Sequence, residues 1–148
     1  YAVGLNNHMG SRFTADENAM ATVVGEMKAR NLIFLDSRTT PRSMGADLAD
    51  RRNLPNVRRD VFLDNDRSKS AIRAQLELLE KIAFERGSGL AIGHPYPETF
   101  DVLQKWFSEA RSRGFSLIPI SQFTKLIKCE NNPVHNCNQQ NATSKTPP

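Results

Sequence analysis

Cysteine is scarce in this chain. Its 148 residues hold two, Cys129 and Cys137, both near the C-terminal end. Eight positions apart, they suit a small disulfide-closed loop in an exported protein. With His135 between them they lack the fourth ligand of a closed zinc site. Neither cysteine adjoins the apolar segments described below, which argues against thiol catalysis. Long apolar runs are missing too. No stretch of about 18 apolar residues occurs, so nothing here is expected to span a membrane. No G-x-x-x-x-G-K-[ST] phosphate loop is present, since Gly10 and Gly45 stand alone. There is no G-x-S-x-G nucleophile elbow. The chain opens on Tyr1-Ala-Val-Gly-Leu5, without an initiator Met, a basic n-region or a signal-peptide h-region, and is therefore expected to be a fragment or a trimmed product. The formal charge is a modest +4, dispersed over separate segments such as Arg51-Arg52, Arg58-Arg59 and Arg111–Arg113. Without an aromatic-plus-basic motif this reads as solvated basic faces, and no nucleic-acid partner is expected.

What is present is a regular alternation over residues 1–128. Val3–Leu5 reads as a short strand. Thr14 then precedes a helix to about Arg30, with Glu17 three positions on as a capping box. Leu32–Leu35 is a continuous apolar run, as in a strand buried on both faces. Met44–Arg52 suits a short helix. Val61–Leu63 is the next strand, followed by an amphipathic helix from Ser68 to Arg86 with the stripe Ile72, Leu76, Leu79, Ala83 and a terminating Gly87. Leu90–Ile92 is a fourth strand. Pro97 opens the next helix, with the stripe Phe100, Leu103, Phe107, Ala110. Phe115–Ile118 reads as a fifth strand and Gln122–Lys128 as a closing helix. The fold class is therefore α/β, with a parallel sheet and alternating helices, because strands separated by helices need crossover connections. From Cys129 onward, five Asn, two Gln and three Pro in twenty residues predict a disordered polar tail over 129–148, with a glycosylation sequon at Asn141.

Parallel α/β folds collect functional residues at the C-terminal ends of their strands. Strand one is followed by Asn6, Asn7, His8 and Ser11. Strand two is followed by Asp36, Ser37 and Arg38. Asp64, Asn65 and Asp66 follow strand three, Gly93, His94 and Tyr96 follow strand four, and Ser121 follows strand five. Two of three histidines and three carboxylates thus share one rim. Imidazole with carboxylate is a divalent-metal donor set. Such an ion polarises a carbonyl and acidifies its water, while a carboxylate and a histidine serve as base and acid. Metal-assisted hydrolysis is the class these residues suit, with the bond left open.

Four stretches carry a resemblance: Asn6-Asn-His-Met-Gly-Ser-Arg-Phe-Thr14, Phe34-Leu-Asp-Ser-Arg-Thr39, Val61-Phe-Leu-Asp-Asn-Asp66 and Ala91-Ile-Gly-His-Pro-Tyr-Pro-Glu-Thr99. In that order, across roughly residues 3–121, they resemble the divergent polysaccharide deacetylases, a remote branch of carbohydrate esterases built on a distorted (β/α) barrel. The resemblance implies a divalent metal, usually zinc, and hydrolysis of acetyl groups on a polysaccharide or cell-wall glycan. It also implies export, commonly to the bacterial periplasm. Carried over by position, His8 is the implied metal ligand and His94 the implied general acid or ligand. Asp64 is implied as catalytic base, ligand or orienting group. Asn6, Asn7, Ser11, Asp36, Ser37 and Asp66 are expected to line the substrate side, and Arg38 and Arg59 to pair with the carboxylates. The family pattern begins with an earlier strand ending in Asp-Asp, which these residues do not include, so residues 1–128 are expected to be the later part of the domain. Two other readings accompany this one: a non-catalytic carbohydrate or cell-wall binding module on the same fold, and an unrelated doubly wound domain with a phosphate or signalling role.

Overall fold

A computed structural model describes residues 2–130. The expected disordered tail, with His135, Cys137 and the sequon, lies almost wholly outside the described residues, and so does the Cys129–Cys137 pairing. The chain divides into two compact units, one ending at Leu117 and one beginning at Ile118.

In the first unit the order is β1 (Gly4–Asn6), α1 (Ser11–Thr14), α2 (Glu17–Ala29), β2 (Ile33–Asp36), α3 (Gly45–Arg51), β3 (Asn56–Arg58), β4 (Val61–Phe62), α4 (Lys69–Arg86), β5 (Ala91–Ile92) and α5 (Pro97–Ala110). All pairings are parallel, as the helical crossovers require. β1, β2 and β3 form one sheet in that order, with Leu5 opposite Phe34 and Leu35 opposite Val57. β4 and β5 form a second, with Val61 opposite Ala91. The segment from Asn56 to Phe62 belongs to both. It pairs with β2 up to Arg59, whose N–H reaches the carbonyl of Asp36, and then with β5 from Asp60, whose N–H reaches the carbonyl of Leu90. The mixed α/β class with parallel strands and alternating helices is thus borne out.

Each sheet carries its own core. Met20, Val24 and Met27 of α2 pack with Phe34 of β2, Leu48 and Ala49 of α3, and Leu54. Gly45 opens α3 because the aromatic ring of Phe34 leaves no room there: an added Cβ would stand 2.6 Å from its edge. Val61 and Leu63 pack with Ile72 and Leu76 of α4 and Val102 of α5. α4 follows its sequence closely. The Ser68 hydroxyl caps the Ala71 N–H at 3.3 Å, and Gly87 stops the helix in the left-handed region at φ 81°.

Four expectations need correction. The cap of α2 is Asp16, which accepts from the Ala19 N–H at 2.9 Å. Thr14 instead ends the short α1, buried, with its hydroxyl 3.2 Å from that of Thr39. Strand β3 was not expected, because its three residues bury one apolar side chain, Val57, and leave no apolar run. Phe115–Ile118 pairs with no strand among the described residues, and Leu117 is 61% exposed. In α5 the buried residues are Thr99, Val102 and Ala110, while Phe100 and Phe107 of the expected stripe are exposed. The second unit is described by its helix α6 (Ile120–Glu130), which begins where the N–H groups of Gln122 and Phe123 meet the carbonyl of Pro119.

Candidate active-site rim

The C-terminal strand ends of the first unit carry two buried carboxylates, each the centre of a hydrogen-bond cluster. Asp64 follows β4, and its side chain is wholly buried. One oxygen accepts from the His94 backbone N–H at 2.5 Å and from the Thr99 hydroxyl at 2.9 Å. The other lies 2.9 Å from Nδ1 of His94. A carboxylate only accepts, so Nδ1 carries a proton and, in the neutral ring, Nε2 holds the lone pair, aimed away from Asp64. Gly93 permits this approach, since a Cβ there would sit 3.1 Å from the Asp64 carboxylate and 3.3 Å from the Leu63 side chain.

Aromatic groups enclose the His94 ring, which is 32% exposed. Tyr96 lies 5.1 Å away between ring centroids, Phe62 5.4 Å and His8 5.7 Å, the last two edge-on. Arg67 covers Tyr96 at 4.1 Å and pairs with Glu98 at 3.0 Å, fixing that wall from outside. His8 is exposed, on the turn after β1, where Met9 (φ 55°) and Gly10 (φ 67°) are both left-handed. The imidazoles of His8 and His94 are therefore brought face to edge from strands at opposite ends of the unit's sequence.

Asp36, buried at the end of β2, organises the second cluster. One oxygen accepts from the Arg38 N–H at 2.8 Å and from Asn7 Nδ2 at 3.4 Å. The other accepts from the Ser43 hydroxyl at 2.8 Å and from the Ala46 N–H at 3.3 Å. The side-chain carbonyl of Asn7 takes the Ser37 N–H at 2.6 Å, and Asn6 donates to the Ser37 hydroxyl at 3.1 Å. The hydroxyl of Ser11 holds the Thr39 carbonyl at 2.9 Å. These groups stitch the loops after β1 and β2 together, which leaves the Asp36 oxygens little capacity for a ligand. Arg59 does not pair with them. Its Nε donates to the Ser37 carbonyl at 2.7 Å and one Nη to the Arg38 carbonyl at 3.2 Å. Asp66 is exposed and accepts from the Ser68 N–H at 2.8 Å, which holds its carboxyl below the usual range. Ser121 lies in the first turn of α6, in the other unit.

Among the described residues no group of three or more His, Cys, Asp or Glu side chains stands in a metal-holding arrangement. His8 and His94 are two donors, and the nearest carboxylate, Asp64, is occupied by its own hydrogen bonds. These residues by themselves do not fit a closed zinc site. No helix among the described residues is long and apolar enough to cross a membrane. Sequence reasoning placed Tyr96 on the rim without a role and passed over Phe62 and Thr99 as parts of the site; Thr99 follows His94 at five positions, a spacing that could have pointed to it.

Residues 1–124 match the family model described as divergent polysaccharide deacetylase. An uncharacterized protein of Haemophilus influenzae is 38% identical over 103 residues, covering 70% of this chain and 37% of that protein. The uncharacterized protein YibQ of Escherichia coli is 40% identical over 105 residues, covering 71% of this chain and 33% of YibQ. A crystal structure of an uncharacterized Agrobacterium tumefaciens protein superposes with a TM-score of 0.80 at 29% identity, covering 82% of this chain and 49% of that one. The chain thus spans about a third of the curated relatives' length and half of that solved chain.

Proposed function

Because this chain belongs to the divergent polysaccharide deacetylase family, we propose that its rim is part of a site that hydrolyses acetyl groups on a polysaccharide. The observation that carries this reading is the Asp64–His94 pair, with its imidazole facing His8 at 5.7 Å. The buried carboxylate fixes the tautomer and orientation of His94, so Nε2 is the working atom. Nε2 can take a proton from the attacking water and deliver it to the sugar nitrogen or oxygen that leaves as its bond to the acetyl carbon breaks, freeing acetate. Asp64 is a positioning residue here, because its oxygens are turned to His94 and Thr99 and away from the rim. The half-exposed wall of Phe62 and Tyr96 suits the apolar face of a sugar ring.

The divalent metal expected for the family, zinc first, would take His8 as a donor and polarise the acetyl carbonyl, leaving Nε2 of His94 to move the proton. Further donors from outside the described residues are needed to complete that set. A second reading, a glycan-binding module on the same fold, is favoured by that shortage of donors among the described residues. Export to the bacterial periplasm goes with a cell-wall glycan, and fractionation of producing cells tests it.

The deciding experiment measures acetate released from an acetylated glycan, together with bound metal. Release that disappears in His94→Ala supports the enzyme. Retained glycan binding, with no release by a metal-replete protein carrying intact histidines, would overturn it in favour of the binding module.

A further inference from the structure

Arg38 and Arg59 place positive charge on the rim that the acetyl chemistry does not use. Six other arginines pair with carboxylates, among them Arg58, which bridges Asp47 and Asp50 at 2.7 and 2.9 Å, and Arg113, which bridges Glu80 and Glu109 at 2.7 and 2.9 Å. Among the described residues neither Arg38 nor Arg59 has a carboxylate within ion-pair distance. Asp36 and Asp60 lie near enough to offset part of the charge. Their oxygens are committed, however: those of Asp36 to the loop cluster, and those of Asp60 to the Leu90 N–H at 2.9 Å and Arg86 at 3.4 Å. Burial, and then the like charge of Arg38, hold the Arg59 guanidinium below its usual basicity.

The backbone points the same way. Arg38 is left-handed, at φ 49°, a conformation that disfavours a side chain. Its N–H is held by Asp36 and its carbonyl by Arg59, so the cluster imposes the conformation from both sides. The guanidinium is meanwhile left exposed. A glycine would satisfy that backbone at lower cost, and an arginine there points to a use for its charge. The location is specific as well. Arg59 lies over the ring of Phe62 at 5.2 Å, and the same ring meets His94 at 5.4 Å. A groove lined by Arg59, Phe62, Leu63 and Asn65 runs alongside. Asp60, with both oxygens engaged, and Asp66, with one, also border it.

We infer that Arg38 and Arg59 form an anion subsite beside His94, and that the rim takes an acidic glycan whose carboxylate or phosphate sits one aromatic ring away from the group presented to His94. This rests on the carbohydrate reading above and narrows its substrate class. Two adjacent guanidinium groups can grip one such anion with charge-assisted hydrogen bonds, whereas a nucleic acid would call for a longer basic track.

The test is calorimetric titration with trigalacturonate, with its neutral methyl ester, and with inorganic phosphate as competitor. Trigalacturonate is expected to bind about tenfold more tightly than the ester, with the advantage shrinking as salt rises. Displacement by phosphate at low concentration would assign the subsite to a phosphorylated glycan, and its absence to a carboxylated one. Arg38→Gly should erase the preference for the acid without lowering the thermal midpoint, because glycine accepts the backbone angle; unfolding is thereby separated from lost recognition. Equal binding of acid and ester would overturn the subsite and leave the carbohydrate reading standing, as would full selectivity in Arg38→Gly. If trigalacturonate, ester and phosphate all fail to bind, the carbohydrate reading falls and the subsite with it.

Discussion

Asp64 holds His94 twice, accepting from its backbone N–H at 2.5 Å and lying 2.9 Å from its ring Nδ1. Both position and tautomer of the imidazole therefore depend on one buried side chain. Asp64→Asn keeps the volume but replaces an acceptor with a donor. If the amide faces the ring, Nδ1 becomes the acceptor and the proton moves to Nε2. We expect a loss of about 10–100-fold in any acetyl release and a stability cost of about 1–3 kcal/mol. Nitrogen NMR of the His94 ring reads the tautomer directly, and an unchanged spectrum in the variant would exclude the positioning role.

Gly93→Ala tests the close approach behind that pair. Its Cβ would press on the Asp64 carboxylate at 3.1 Å and on Leu63 at 3.3 Å, and neither buried side chain can retreat freely. A destabilisation of about 1–3 kcal/mol is expected. Chemical denaturation measures it, and a variant as stable as the parent would show that the rim can give way.

The Asp36 cluster predicts a larger effect. In Asp36→Ala the Arg38 and Ala46 N–H groups and the Ser43 hydroxyl lose their acceptor together. At about 1–3 kcal/mol for a single buried polar group left unpaired, the sum is capable of unfolding a marginally stable domain. The expected outcome is a large fall in the denaturation midpoint. Asp36→Asn, which keeps one acceptor oxygen, should fall in between.

Stability should also decline on the acid side. The carboxyl groups of Asp66, Glu98 and Asp101 are held below their usual ranges, by the Ser68 N–H, by a backbone hydrogen bond and Arg67, and by Lys69 respectively. Because their folded pKa values are depressed, their contribution is complete above the unfolded values near 4 and is lost as pH falls through the folded ones. All three groups are exposed, so the effect is small and salt-sensitive. Helical signal followed from neutral to acidic pH at low and high salt checks it: the loss should begin below about pH 4.

The part of this arrangement legible in the sequence was the part set by local rules. Ser68, Gly87 and Pro97 mark helix ends through caps and fixed dihedrals, and they do so in the structure. The rule that functional groups follow strands gathers His8, Asp36, Asp64 and His94 at strand ends without any contact information. What escaped depends on partners far away in the chain. Apolar periodicity reports burial and not pairing, so Phe115–Ile118 resembled a strand and Asn56–Arg58 did not. The division of labour between carboxylates was equally hidden. Asp36, Asp64 and Asp66 look alike as strand-end acids, yet two are buried hubs and the third is an exposed turn acceptor.

The reach of the bonds in both clusters also bears on the order of folding. Asn7 meets Asp36 across 29 positions and Ser37 across 30; Asp64 meets His94 across 30 and Thr99 across 35. None of these contacts is available to a chain that has formed only its helices, because each requires two parallel strands already side by side. Loop closure of that length is entropically costly and slow. The imidazole should thus acquire its fixed geometry in the last phase of refolding, well after helical signal has returned, and conditions that delay strand pairing should yield a helical protein whose His94 ring is not yet held by Asp64.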